Sequence, residues 1–198
     1  MKQIQTHAVM LVLTIMLTFA YATGVAQTKP FATAGTVELS GTVAFSSIAE
    51  VSNGRAGDAT SLLSLAPQIG YFVSDGFEIG VGTGVALLPG ISVISPPRGN
   101  GTTITQLFVT PSYNFRTEGN SVVPFIEGQL GYTSASSGSL TESGFSYGGR
   151  GGIKFIPVEH FLLTFSAQYL AITLNPERAT ERYGFNYLNV GVGVGGYF

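Results

Sequence analysis

The sequence holds three arrangements of residues with chemical potential. Gly144-Phe145-Ser146-Tyr147-Gly148 matches the G-x-S-x-G pattern, in which an exposed serine hydroxyl attacks an acyl carbon. Such a nucleophile needs a sharp strand-to-helix turn beneath it and a base within hydrogen-bond reach. No helical pattern follows Gly148. The one histidine beyond the first 26 residues, His160, falls in a turn at the far end of the same extended segment. At about 3.3 Å per residue the two side chains lie tens of ångströms apart, so hydrolysis is not expected. The runs Gly80-Val81-Gly82-Thr83-Gly84 and Gly191 to Gly196 suggest a phosphate cradle. That device must open a helix whose free N–H groups face the anion, whereas these glycines alternate with β-branched residues. Their expected role is steric, leaving room on one face for Phe72, Phe108, Phe125 and Tyr187. The third arrangement is a set of scattered charges, Glu38, Glu78, Glu127, Arg150 and Lys154, whose meaning depends on the elements that carry them.

Those elements read as strands. Beyond residue 26 no segment is apolar for long enough to make a membrane helix. Polar and apolar residues instead alternate with period two, in stretches of about ten residues separated by turn signals. Eight strands are predicted, at 35–46, 61–73, 77–88, 103–115, 122–134, 144–156, 161–171 and 184–198. When their phase is set from apolar residues alone, Leu63, Leu65, Ile69, Tyr71 and Val73 share one face of the second strand. Leu188, Val190, Val192 and Val194 share the same face of the last. All five strand charges then fall on the opposite face. A soluble barrel carries its charges outside, and a barrel in lipid must be apolar outside. Aromatic residues agree. Tyr71, Phe77, Tyr113, Phe115, Phe155, Phe161 and Phe198 lie near one set of strand ends. Phe45, Tyr132, Phe145, Tyr147 and Tyr169 lie near the other, as two interfacial girdles would.

The predicted fold is therefore all-β: an eight-stranded antiparallel up-and-down transmembrane barrel. Closure is expected because an open edge in lipid leaves backbone groups unpaired at a cost of several kcal/mol each. Eight strands enclose an interior that side chains fill, and ions sheltered from water need partners. Glu38, Glu78, Glu127, Arg150 and Lys154 are thus expected to form a structural polar network in the lumen, with Glu127 facing Arg150 on neighbouring strands. A narrow conduit is the other reading. Short connections are predicted at 74–76, 116–121 and 157–160, with His160 a solvated turn residue. Long ones are predicted at 47–60, 89–102, 135–143 and 172–183. Short turns are usually periplasmic and long loops extracellular, which puts both termini of an even-stranded barrel on the periplasmic side.

Composition fits this reading. Only 10% of the 198 residues are charged, where soluble domains carry about 25%. The net charge of −2 offers nothing to nucleic acid, and no cysteine is present for disulfides, thiolate chemistry or metal ligation. No catalytic residue, cofactor site or metal site is predicted. At the N-terminus, Lys2 precedes an apolar run from Ala8 to Tyr21 and then small residues. This pattern predicts a signal peptide over residues 1–26, cleaved after Ala26 with Ala22 as the alternative, and a barrel domain over 27–198.

Three segments carry a resemblance: the run from Leu65 to Gly76, Pro124-Phe125-Ile126-Glu127-Gly128, and the run from Tyr187 to Phe198. They resemble the second strand with its turn, the start of the fifth strand, and the closing strand of the OmpA/OmpX-like outer-membrane β-barrels, also called opacity- or surface-antigen-like barrels. The resemblance implies that Phe198 is an assembly signal for the outer-membrane assembly machinery. It also implies surrounding outer-membrane lipid and lipopolysaccharide, and a role in adhesion, surface recognition or envelope integrity. No periplasmic domain is expected after Phe198, so the peptidoglycan binding of longer members is not expected. The expected function is a non-enzymatic surface barrel that presents its loops to an unidentified extracellular ligand. The alternative is a small pore or carrier for a hydrophobic ligand; an enzyme acting on lipid A ranks behind both. The loop charges Glu50, Arg55, Asp58, Arg98, Glu142, Glu177, Arg178, Glu181 and Arg182 are of mixed sign, which favours a specific partner surface.

Overall fold

A computed structural model describes residues 30–52, 55–89, 101–117, 121–138, 140–175 and 183–198. Eight strands follow in chain order: β1 (Val37–Ser52), β2 (Arg55–Ser74), β3 (Phe77–Pro89), β4 (Gly101–Asn114), β5 (Val122–Ser137), β6 (Leu140–Phe155), β7 (Phe161–Asn175) and β8 (Tyr183–Tyr197). Each pairs antiparallel with its sequence neighbours. β1 pairs with β8 from Glu38↔Tyr197 to Ser46↔Asn189, which closes the barrel and leaves no sheet edge.

The alternation sets which face is which, and the predicted phase holds in all eight strands. Phe45, Leu130, Phe145, Leu188 and Val190 stand outward, each more than 60% exposed. Glu38, Glu78, Glu127 and Lys154 point inward and are buried. An outer wall this apolar is far larger than any patch a soluble monomer exposes, so its solvent is lipid. The aromatic girdles are in place, with Tyr113 against Phe115 at one rim and Tyr132 against Phe145 at the other.

Two predicted long loops are instead strand. The β1–β2 ladder continues to Ser52↔Arg55, and the β5–β6 ladder to Ser137↔Leu140. Near the hairpin tips both faces carry small and polar residues, such as Ser134, Ser136 and Ser137 on β5 and Thr141 and Glu142 on β6, so the apolar alternation fades while backbone pairing goes on. β2 has 20 residues, about twice the 9–11 needed to cross the hydrocarbon core. These two hairpins therefore stand above the lipid. Most of the connections predicted at 89–102 and 172–183 lies outside the described residues. At the other rim the turns are short, and Gly76 supplies the positive φ (77°) that the Asp75-Gly76 turn requires. Before β1 the chain does not continue as strand. Residues 31–36 turn under the barrel, with Ala32 at φ 62° and the Gly35 N–H donating to Phe72 O at 2.8 Å.

Candidate functional site: the barrel lumen

The lumen is filled from the turn end upward. Lys154 reaches in from β6, and its Nζ donates to Glu38 Oε2 on β1 at 2.5 Å and to Glu78 Oε2 on β3 at 3.3 Å. Glu78 Oε2 also accepts from Ser112 Oγ at 3.0 Å and Asn114 Nδ2 at 3.2 Å. All three charged side chains are under 5% exposed. Buried ions are tolerable only when paired and hydrogen-bonded in this way. The ammonium also lies 5.2 Å from the ring centres of both Phe31 and Phe125. Phe31, from the segment before β1, packs edge-on against Phe72 and Tyr197 at 5.4 and 5.1 Å. With Ala32, Val123 and Leu162 these rings form an apolar plug across the turn end.

A second charged cluster crosses the middle. Arg150 on β6 donates through Nη2 to Glu127 Oε2 at 2.9 Å and Gln68 Oε1 at 3.3 Å, and through Nη1 to Thr42 Oγ1 at 3.1 Å. Gln68 Nε2 in turn donates to Thr110 Oγ1 at 2.9 Å. Beside this cluster a polar chain runs from Asn189 to Gln168 and on to Gln129. Next to these groups lies a cavity of about 40 Å³ among Thr42, Gln68, Gln106, Arg150 and Tyr187, room for a few waters at most.

Toward the long hairpins the interior changes character. Ile104, Ala135, Leu170, Ile172 and Leu174 are buried there. Glu142, expected as an exposed loop charge, is 7% exposed on the inward face of β6, because its segment is strand and not loop. Glu142 Oε2, Ser46 Oγ and Ser146 Oγ have no hydrogen-bond partner among the described residues.

The five charges expected in the lumen thus fall into two groups, Lys154 with Glu38 and Glu78, and Arg150 with Glu127. Sequence reasoning did not single out their neutral partners Thr42, Gln68, Ser112 and Asn114. A signal was available, since all four share the charges' face by the period-two rule. Phe31 had none, because it precedes the first strand. Ser146 is buried inside a strand, so the G-x-S-x-G pattern forms no exposed elbow. His160 is no free solvated residue. At φ 65° its Nδ1 lies 2.7 Å from Tyr197 O and its ring 5.2 Å from the Tyr197 ring, clamping the end of β8 to the β6–β7 turn.

No family model and no curated protein matches the sequence. Solved structures do match by shape. Neisserial surface protein A (NspA) superposes with a TM-score of 0.62 at 13% identity, covering 83% of this chain and 98% of its own. The N-terminal β-barrel domain of Pseudomonas aeruginosa OprF gives 0.51 at 18% identity, with 83% and 98% covered. The outer membrane protein OprG of Pseudomonas aeruginosa gives 0.50 at 15%, with 84% and 97% covered. The chain shares their fold. At these identities the likeness extends to the eight-stranded barrel and not to any activity.

Proposed function

We propose that this chain is an integral outer-membrane barrel whose work is done by its extracellular hairpins and not by its lumen. The observation that carries this reading is the filled interior. The Phe31 plug, the Lys154 cluster and the Arg150 cluster lie in series along the axis, and the cavity beside the Arg150 cluster is water-sized. An aqueous path would require breaking buried ion pairs. The outer-membrane setting is supported by the lipid-facing wall and by the likeness to barrels whose names place them at a cell surface or outer membrane.

In this reading residues 1–26 direct export and are removed after Ala26. The short turns and both termini face the periplasm, and Phe198 is read by the assembly machinery. Outer-membrane lipid and lipopolysaccharide surround the wall. The protein is non-enzymatic, and the hairpins supply adhesion, recognition or envelope support, as functional loops on rigid scaffolds commonly do. Shortening the 47–60 and 89–102 connections is expected to leave a folded barrel and abolish binding of expressing cells to their target surface. Persistent binding or uptake in that variant, lost instead on changing Glu127 or Arg150, would favour the carrier reading. Sidedness is checked by thiol labelling of intact cells: Thr141→Cys should react with an impermeant reagent and Glu159→Cys should not.

A further inference from the structure

The lipid-facing wall contains a break in its hydrogen-bond ladder. Between β4 and β5 the pairing runs to Val109↔Leu130 and resumes at Ser112↔Glu127, skipping Thr110 and Pro111. In this ladder the Phe115 N–H donates to Pro124 O at 2.8 Å. Hydrogen-bonded pairs recur at every second residue of an antiparallel ladder, so Pro111 and Gly128 occupy such a pair. Proline has no N–H. The Gly128 carbonyl therefore has no ladder donor, and it sits in a wall surrounded by hydrocarbon, where no water replaces the lost bond.

Over this carbonyl lies a groove of about 460 Å³, with Gly128 and Gly149 on its floor and Pro111, Leu130, Tyr147 and Tyr169 around it. That volume is within the range small ligands occupy. The barrel itself does not require glycine at 128. A Cβ there would meet only Pro111, at 3.6 and 3.9 Å, which is ordinary contact. At the inward-facing Gly131, by contrast, a Cβ would come within 2.7 Å of Leu107 O. The wall thus keeps open an apolar trough with one unsatisfied acceptor at its base.

We propose that this groove binds an acyl chain carrying a hydroxyl group. The alkyl part lies against Leu130, Tyr147 and Tyr169, and the O–H donates to Gly128 O in place of the N–H that Pro111 lacks. The chain is that of a lipid of the surrounding bilayer, into which the groove opens. The proposal rests on the reading of this wall as lipid-facing.

The test uses the refolded barrel in phosphatidylcholine vesicles, with a nitroxide-labelled fatty acid as probe. Its displacement is compared for a twelve-carbon 3-hydroxy acid and for the unsubstituted acid of equal length. One hydrogen bond in hydrocarbon is expected to lower the displacing concentration about 3- to 10-fold for the hydroxy acid. Pro111→Ala, which supplies the missing N–H, should bring the ratio close to one. Gly128→Ala should weaken both competitors by occupying the floor. Pro67→Ala, at the corresponding break between β2 and β3, should leave the ratio intact.

A ratio of one in the inserted protein overturns the proposal, and so does a preference that survives in Pro111→Ala or disappears in Pro67→Ala. A crosslinked dimer that Gly128→Ala abolishes, with no fatty-acid displacement in any variant, overturns it in favour of a second barrel. Displacement by a hydroxyacyl lipid supplied in the bilayer supports the resident lipid, and displacement by the free acid alone overturns it in favour of a diffusing amphiphile. Heat-dependent gel mobility monitors insertion in every sample. A barrel that does not insert fails the lipid-facing reading, whereas an inserted barrel without the preference fails this proposal alone.

Discussion

The two halves of the lumen are built on different principles. At the turn end every charge has a partner, and aromatic rings close over the ammonium of Lys154. At the hairpin end Leu170, Ile172 and Leu174 fill the interior, and Glu142, Ser46 and Ser146 keep unpartnered oxygens among the described residues. One half is a polar core in which every charge is paired and each member holds the others in place, with only Asn114 Oδ1 and Arg150 Nε lacking a partner among the described residues. The other is an apolar packing with loose polar ends. The difference implies that the turn end sets the stability of the barrel and that the hairpin end is free to vary.

The contrast between the two ends is expected to be greatest at Lys154. Lys154→Met leaves Glu38 and Glu78 buried together without a cation, and is expected to cost about 3–5 kcal/mol in urea unfolding from lipid vesicles. A loss below 1 kcal/mol would mean the turn end is no more committed than the hairpin end. Phe31→Ala removes the centre of the plug and should cost about 3 kcal/mol, in the range of buried aromatic truncations, with the barrel still inserting. His160→Ala deletes the bond to Tyr197 O and should cost about 1 kcal/mol, seen as faster amide exchange at the end of β8. Glu142→Gln should change stability by less than about 1 kcal/mol. A large loss there would show that the hairpin end holds a hidden network.

How much of this is legible in the sequence depends on the solvent. Strand phase is readable because lipid and lumen impose opposite demands on alternate residues, as Ile126, Glu127 and Leu130 illustrate on β5. The same rule places the five lumen charges. It does not distinguish which anion Lys154 takes, since that depends on the register around the closed barrel. Hairpin lengths are illegible for the complementary reason. Where both faces carry small and polar residues the contrast disappears, and 47–60 reads as loop although the ladder runs on to Ser52↔Arg55. Glu142 is misplaced by the same loss of contrast. Phe31 is missed because its partners come from β2 and β8 and from no local pattern. The prolines carry the clearest unused signal, since a proline inside a strand must leave one neighbour's carbonyl without its donor.

Phe31 also bears on the order of assembly. It touches Phe72 near the start of the barrel sequence and Tyr197 at its end, so its full set of contacts exists only after β1 has met β8. Contacts between such distant parts of a chain form late, because the loop must close before they contribute. A group whose interactions are absent from the transition state acts on the rate of leaving the native state and hardly on the rate of reaching it. The plug is therefore a kinetic lock: it does little to guide the barrel into the membrane and much to prolong its lifetime there.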